Sequence, residues 1–329
     1  MSSYDAGRAS AHYILPIGER PEGTYRSCLL CPRRCGVDRE AGERGYCGET
    51  SSLRLAFAGI HRGEEPPITG TGGSGTIFVS GCNLGCAFCQ NYQLSSGKQV
   101  SMKTMGRAVS AEEFAAICLA LQEKGAENIN IVTGSHAAPA IAFGITEARK
   151  QGLSIPALWN SSGYDGAETL EILKDVINIY LPDLKTLDPE IAARFFNAPD
   201  YPKHAAAAIL RMMEKEVIIR HLILPGYLEN TRQVLKWFSE NCAGRGRGKA
   251  LLSLMTQYTP VHMREPGAAS DIPDRYLSEE EYDAVLSMLE EFGIDDGFYQ
   301  ELVTGSDWLP DFTRQNPFSS ELSIPVWHC

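Results

Sequence analysis

Gly75-Thr76-Ile77-Phe78-Val79-Ser80-Gly81-Cys82-Asn83-Leu84-Gly85-Cys86-Ala87-Phe88-Cys89-Gln90-Asn91 begins as a strand and ends as a ligand loop. Residues 76–80 are β-branched and apolar, the composition of a buried strand. Gly81 and Gly85 let the backbone turn tightly after it. Cys82, Cys86 and Cys89 are therefore expected in a loop at the carboxyl end of a strand, where ligand sites of parallel α/β sheets and barrels occur. Their spacing is C-x3-C-x2-C. Closed iron–sulfur sites use four cysteines. Three thiolates hold three irons of a cubic cluster and leave the fourth open to a small molecule. An open iron can bind and reductively cleave a cofactor, so the run points to a redox enzyme. The same residues also allow a zinc knuckle short of one ligand, or three buried thiols.

Outward from this loop, strand and helix patterns alternate. Strands are expected at 76–80, 129–133, 155–160, 177–182, 216–223 and 250–255, and helices at 110–124, 137–150, 166–175, 189–196, 202–214 and 229–241, with a last helix at 278–292. Ser110-Ala111-Glu112-Glu113 offers an N-cap and a carboxylate at the third helical position, and Asp188-Pro189-Glu190 places proline at the first. Apolar strands separated by helices predict a parallel sheet covered by helices. The expected fold is α/β: a partial (β/α)6 TIM-like barrel with a small Cys-rich N-terminal metal module. The expected organisation is a lead segment over 1–27, a Cys-rich metal-binding module over 28–70, a barrel over 71–305 and a tail over 306–329 packed on the barrel. Aromatics and prolines in the tail (Trp308, Pro310, Phe312, Pro317, Phe318, Pro325, Trp327) suggest an extended segment. Simple surface packing is expected of it, with closure of the barrel's open side or cover of the active site as the alternative.

The chain has 329 residues and a hydrophobic share of 43%, enough for a sizeable core. No run of about 18 apolar residues occurs, so no membrane span is expected. Residues 1–10 lack a basic-then-apolar secretory pattern. Ten cysteines in that setting suggest reduced thiols and metals rather than a disulfide framework, and a cytoplasmic location follows as an expectation. A net charge of -11 disfavours attraction to phosphate backbones, and no basic or aromatic tract for nucleic acid stands out. The basic run at 244–249 reads as a solvated loop, with docking to an acidic partner as the minor reading.

Phe88 before the third cysteine, and the continuation Cys89-Gln90-Asn91-Tyr92, resemble the radical S-adenosylmethionine superfamily, and within it the pyruvate formate-lyase-activating-enzyme-like group, its PflX branch above all. Further matching stretches are Cys28-Leu29-Leu30-Cys31-Pro32-Arg33-Arg34-Cys35-Gly36, Asn160-Ser161-Ser162-Gly163-Tyr164, Tyr180-Leu181-Pro182-Asp183-Leu184-Lys185 and Arg220-His221-Leu222-Ile223-Leu224-Pro225-Gly226. The resemblance implies a 4Fe–4S cluster on Cys82, Cys86 and Cys89, bound S-adenosylmethionine, and its cleavage to methionine and a 5′-deoxyadenosyl radical that abstracts hydrogen. It also implies an electron donor such as flavodoxin or ferredoxin. By resemblance, Asp183 and Lys185 match an Asp-Leu-Lys motif that contacts the cofactor; a rim ion pair is the bland alternative. The group's third-strand Asp-Thr is Asn160-Ser161 here, one charge fewer, which puts a monovalent cation beside Asp183 in doubt. The group's Gly-Gly-Glu, which receives the methionine amino group, is replaced by Thr133-Gly134-Ser135-His136. Backbone carbonyls and the Thr133 or Ser135 hydroxyls can stand in, because an ammonium needs only acceptors. His136 either touches substrate or cofactor or caps the next helix. On the fifth strand one of Arg220 and His221 faces the interior, and the resemblance favours His221 near the ribose or carboxylate. Gln257 and Tyr258 either line the mouth or pack.

Cys28-x2-Cys31-x3-Cys35-x11-Cys47 forms a second group suited to zinc or a closed iron–sulfur cluster, and the spacing does not choose. Cys118 reads as core. Three functions compete: activation of a glycyl-radical enzyme, radical modification of a peptide or small metabolite, and a non-catalytic iron–sulfur sensor or assembly protein.

Overall fold

The structure is a computed structural model that describes residues 24–95, 105–242, 250–261, 272–306 and 308–329. The basic run at 244–249 and residues 1–23 of the expected lead lie outside the described residues. In chain order, β1 (Arg54–His61) and the single turn α1 (Pro66–Thr69) precede β2 (Ser74–Val79). After the short β3 (Arg107–Ala108) come α2 (Ala111–Glu123), β4 (Ile129–Val132), α3 (Ala138–Lys150) and β5 (Ala157–Ser161). These are followed by α4 (Ala167–Leu173), β6 (Ile179–Pro182), α5 (Pro189–Phe196), α6 (Tyr201–Met212), β7 (Glu216–Leu222) and α7 (Leu228–Asn241). The chain then forms β8 (Ala250–Met255), α8 (Glu279–Glu291), β9 (Gly297–Tyr299) and β10 (Ser323–His328).

The sheet runs β10-β1-β2-β4-β5-β6-β7-β8-β9, with β3 on β1. From β2 to β9 all pairings are parallel, and β1 and β10 are antiparallel additions at one edge. This is the mixed α/β, partial-barrel architecture that the alternating pattern predicts. Starts and stops follow local chemistry. Ser110 accepts from the Glu113 N–H, Asp188 accepts from the Glu190 and Ile191 N–H groups, and Ser278 and Glu281 close a capping box on α8. β5 begins two residues later than expected, after Pro156, which has no N–H for the ladder.

Alternation along the strands sorts side chains into layers. Leu158, Leu181 and Ile218 pack around Ile68 of α1, which plugs the barrel interior. Two residues further along the same strands come Asn160, Asp183 and Arg220, which line a cavity. The intervening residues, such as Trp159 and Ile219, join the larger core under the helices.

The tail does more than the surface packing expected of it. The chain must travel from β9, at one edge of the sheet, to β10, at the other. Residues 300–306 and 308–322 therefore bridge the barrel's open side, and Gln300, Val303, Trp308, Pro310, Phe318 and Leu322 line the cavity there. Phe312 and Phe318 meet Phe78 of β2 at centroid distances of 5.1 and 5.6 Å. Among the described residues, no helix is long and apolar enough to cross a membrane.

Candidate active site

Cys82, Cys86 and Cys89 follow β2 and line a cavity of about 500 Å³. Their loop is pinned at several points. The N–H groups of Gly81, Gly85 and Ala87 donate to the carbonyls of Leu94 (2.7 Å), Phe196 (3.1 Å) and Phe195 (2.8 Å). Asn83 Nδ2 donates to Tyr164 O at 2.6 Å, and Arg33 Nε to Asn83 O at 2.9 Å. Gly81 has φ +87°, and a Cβ there would lie 2.4 Å from Glu49 Cγ, so only glycine serves at the turn. Phe88 anchors the loop edge-on against Phe195, Phe196 and Tyr258.

Burial pushes the Cys82 thiol up to about 12 and raises Cys86 and Cys89 as well, so without iron all three are neutral thiols. The donor set fits an iron–sulfur cluster: iron strips such thiols of their protons, and donors to sulfur are in place. Leu84 N–H points at Cys82 Sγ (3.4 Å) and Ser95 Oγ at Cys89 Sγ (3.6 Å). Among the described residues no three Cys, His, Asp or Glu side chains converge on a single metal ion. A cubic cluster holds its thiolates farther apart than one ion does.

The same cavity is lined by Thr133, Asn160, Ser161, Asp183 and Lys185, so these expected residues share one space with the cysteines. Thr133 has φ +64°, an uncommon backbone state for a β-branched residue, held at the end of β4. Lys185 Nζ donates to Asp183 Oδ2 at 2.5 Å. Burial alone would lower the Lys185 ammonium, but Asp183 and Cys86 hold it above its usual range. Tyr201, a residue the sequence does not single out, fixes this pair: its oxygen accepts from the Lys185 N–H (3.0 Å) and lies 2.7 Å from Asp183 O. Ser161 spends its hydroxyl on Asp165, at 2.5 Å.

Four expected residues are elsewhere. Gly134 and Ser135 are absent from the cavity lining; a Cβ on Gly134 would strike Trp159 and Ile141. His136 is buried, with Nε2 2.8 Å from Ser80 O, so it donates to the strand that carries the triad loop instead of facing a ligand. Burial lowers it to about 3, with Arg39 adding to the effect. His221 is fully buried on the helix side of β7, with Nδ1 2.7 Å from Leu184 O and Nε2 3.0 Å from Thr231 Oγ1. Strand alternation gives the interior to Arg220 instead, a correction to the expectation for His221. Gln257 lines the cavity, whereas Tyr258 packs and donates to Pro273 O.

The N-terminal cysteines lie against this site. Arg39, 1% exposed, donates to His136 O (2.5 Å), to Glu49 O (3.2 Å) and to Thr50 O, and approaches Cys28 Sγ at 3.7 Å. A Cβ on Gly45 would meet Cys35 Sγ at 2.9 Å and Cys47 Sγ at 3.7 Å, so both thiols face one small space. Arg33 stacks on Tyr46 at 3.8 Å. Cys118 is core.

Residues 76–238 match the Radical SAM superfamily. The uncharacterised protein MJ0674 of Methanocaldococcus jannaschii is 31% identical over 284 residues, which are 84% of this chain and 78% of that protein. The hydrogenase maturase HydG of Carboxydothermus hydrogenoformans is similar in fold, with a TM-score of 0.50 and 16% identity over 66% of this chain and 50% of its own. SuiB of Streptococcus suis, solved with S-adenosylmethionine, gives a TM-score of 0.47 and 17% identity over 67% of this chain and 48% of its own. The chain thus spans about half the length of the SuiB structures it matches. It belongs to the Radical SAM superfamily. Membership implies S-adenosylmethionine chemistry and a 4Fe–4S cluster.

Proposed function

We propose that Cys82, Cys86 and Cys89 hold the cluster and that Thr133, Asn160, Asp183 and Lys185 position S-adenosylmethionine across the cavity from it. The observation that carries this reading is the convergence of these groups, from four different strand ends, on one cavity. When bound, the cluster supplies the electron that breaks a carbon–sulfur bond of the cofactor and yields a hydrogen-abstracting 5′-deoxyadenosyl radical. Around it, Lys185 offers a cation to the cofactor carboxylate, and Asp183 orients that lysine. The Thr133 carbonyl or hydroxyl accepts from the ammonium, in place of a glutamate. The tail keeps water off the reacting groups.

The bridging tail favours a small metabolite or short peptide as substrate over the protein loop of a glycyl-radical enzyme, because such a loop needs an open side. Cys28, Cys31, Cys35 and Cys47 are proposed to hold a second iron–sulfur cluster, supported by the shared space of Cys35 and Cys47; zinc is disfavoured because no three of these described thiols converge on a single ion. An electron donor of the flavodoxin or ferredoxin kind is required.

The test is anaerobic reconstitution with reductant and S-adenosylmethionine, assayed for 5′-deoxyadenosine. The nucleoside should form with the wild type and fall to background with Cys86→Ala. Its absence from the wild type would leave only the sensor reading. Incubation with a candidate glycyl-radical enzyme should give no electron-paramagnetic-resonance doublet; a doublet would restore that substrate.

A further inference from the structure

The cavity is also lined by a charge cluster that the cleavage chemistry does not use. Arg220 donates through Nε to Glu65 Oε1 (2.8 Å) and through Nη2 to Glu65 Oε2 (2.5 Å) and Glu64 Oε2 (2.5 Å). Asn130 Nδ2 donates to Glu64 Oε1 at 3.0 Å. The side chains of Arg220, Glu64 and Glu65 are 10%, 11% and 7% exposed, and Glu64 and Arg220 line the cavity. Two carboxylates thus share one guanidinium, which leaves one negative charge over.

Among the described residues nothing else facing the cavity answers it. Lys185 is matched by Asp183. His61 lies 3.9 Å from Glu64, but burial lowers its basicity, so it stays neutral near pH 7. An oxidised cluster on three thiolates and S-adenosylmethionine cancel each other's formal charge. A partly buried carboxylate without a full counter-charge is costly. Its surroundings also suit an organic cation: the aromatic residues Phe78 and Phe318 line the same cavity, with Phe318 4.8 Å from the His61 ring. Trp308 Nε1, buried in the cavity wall without an acceptor among the described residues, offers a donor to a polar group on the same ligand.

We propose that Glu64, with Arg220 and Glu65 as its fixed support, is the specificity determinant for a small organic cation, an alkylammonium or guanidinium group of the substrate that sits in this cavity. The inference rests on the radical reading above and names the substrate class for that site. Asn130 places Glu64 one layer below the rim that includes Val132 and Thr133, which separates this role from reception of the methionine amino group.

The experiment uses the anaerobic holoprotein with S-adenosylmethionine and no reductant, and follows the proton line widths of small probes on binding to the protein. Butylammonium should be broadened saturably, whereas 1-butanol and butyrate of the same length should not. Glu64→Gln should weaken butylammonium by roughly ten-fold or more. Equal binding of the alcohol or the carboxylate by wild type would overturn the proposal without recourse to any variant. Unchanged amine affinity in Glu64→Gln would do so too, as would a loss confined to S-adenosylmethionine affinity. A capped tripeptide with a central lysine that outcompetes butylammonium assigns the cation to a peptide; the reverse order assigns it to a free amine. Formation of 5′-deoxyadenosine without any amine is measured in parallel, with reductant added. Its absence sinks the radical reading, whereas its presence with no amine binding sinks only this inference.

Discussion

Single side chains at this site are legible in chemistry but not in direction. His221 and Arg220 are neighbours on one strand, so one must face the ligands and the other the helices. The buried histidine is held neutral at about 4, chiefly by desolvation. A base whose folded value is depressed contributes stability above its unfolded value, near 6.5, and loses it as pH falls toward 4. That is about 3 kcal/mol for a shift of this size. Urea midpoints between pH 7.5 and 5 should therefore fall less steeply in His221→Asn than in wild type; parallel slopes would refute the assignment. Tyr201 is the second case. Removing its hydroxyl in Tyr201→Phe strips partners from the Lys185 N–H and a carbonyl, at about 1–3 kcal/mol. S-adenosylmethionine affinity, read by equilibrium dialysis, should drop several-fold because the Asp183–Lys185 pair loosens. Undiminished affinity would show that Tyr201 only packs.

Among the elements, the bridging tail sets this barrel's access. Phe312 is 1% exposed, packed edge-on against Phe78 at 5.1 Å, and its backbone N–H donates to Gln93 Oε1 at 2.7 Å. The tail is thereby fastened to the segment that follows the triad. Phe312→Ala should cost about 3–5 kcal/mol in the tail's attachment. Hydrogen exchange is the appropriate measurement: amides of β10 and of residues 91–95 should lose protection together, while β5 and β6 keep theirs. Loss of protection in β10 alone would mean that tail and triad segment are not coupled. The strands and helices themselves were readable because period-2 and period-3.6 patterns are local properties. β9 and β10 were not, since β9 is three residues long and β10 is stabilised by its partner β1.

For the whole molecule, the question is how the N-terminal module is joined to the barrel. Arg39 is the staple, with its guanidinium shared among carbonyls of the module and His136 O of the barrel. Arg39→Ala leaves those acceptors buried and unanswered, which should cost about 3 kcal/mol or more. Because His136 in turn holds Ser80 beside the triad, iron content after gel filtration should fall along with the thermal midpoint. A variant with a lowered midpoint and full iron would show that the module is only docked and does not support the cluster loop. Arg39→Lys should not rescue, since a point charge cannot reach several carbonyls in one plane.

The amino-acid sequence determined the alternating sheet, the helix caps and the triad loop, because each depends on residues a few positions apart. Cys82, Cys86 and Cys89 could be read from spacing alone, and Asp183 and Lys185 from a short motif at a strand end. Tertiary structure decided the rest. Arg220 meets Glu65 across 155 positions, and Gln93 meets Phe312 across 219. It also turned His136 and His221 away from the ligands and drew the tail across the open side. Such pairings depend on which strand lies beside which and which face of it is inward, and no local pattern carries that information.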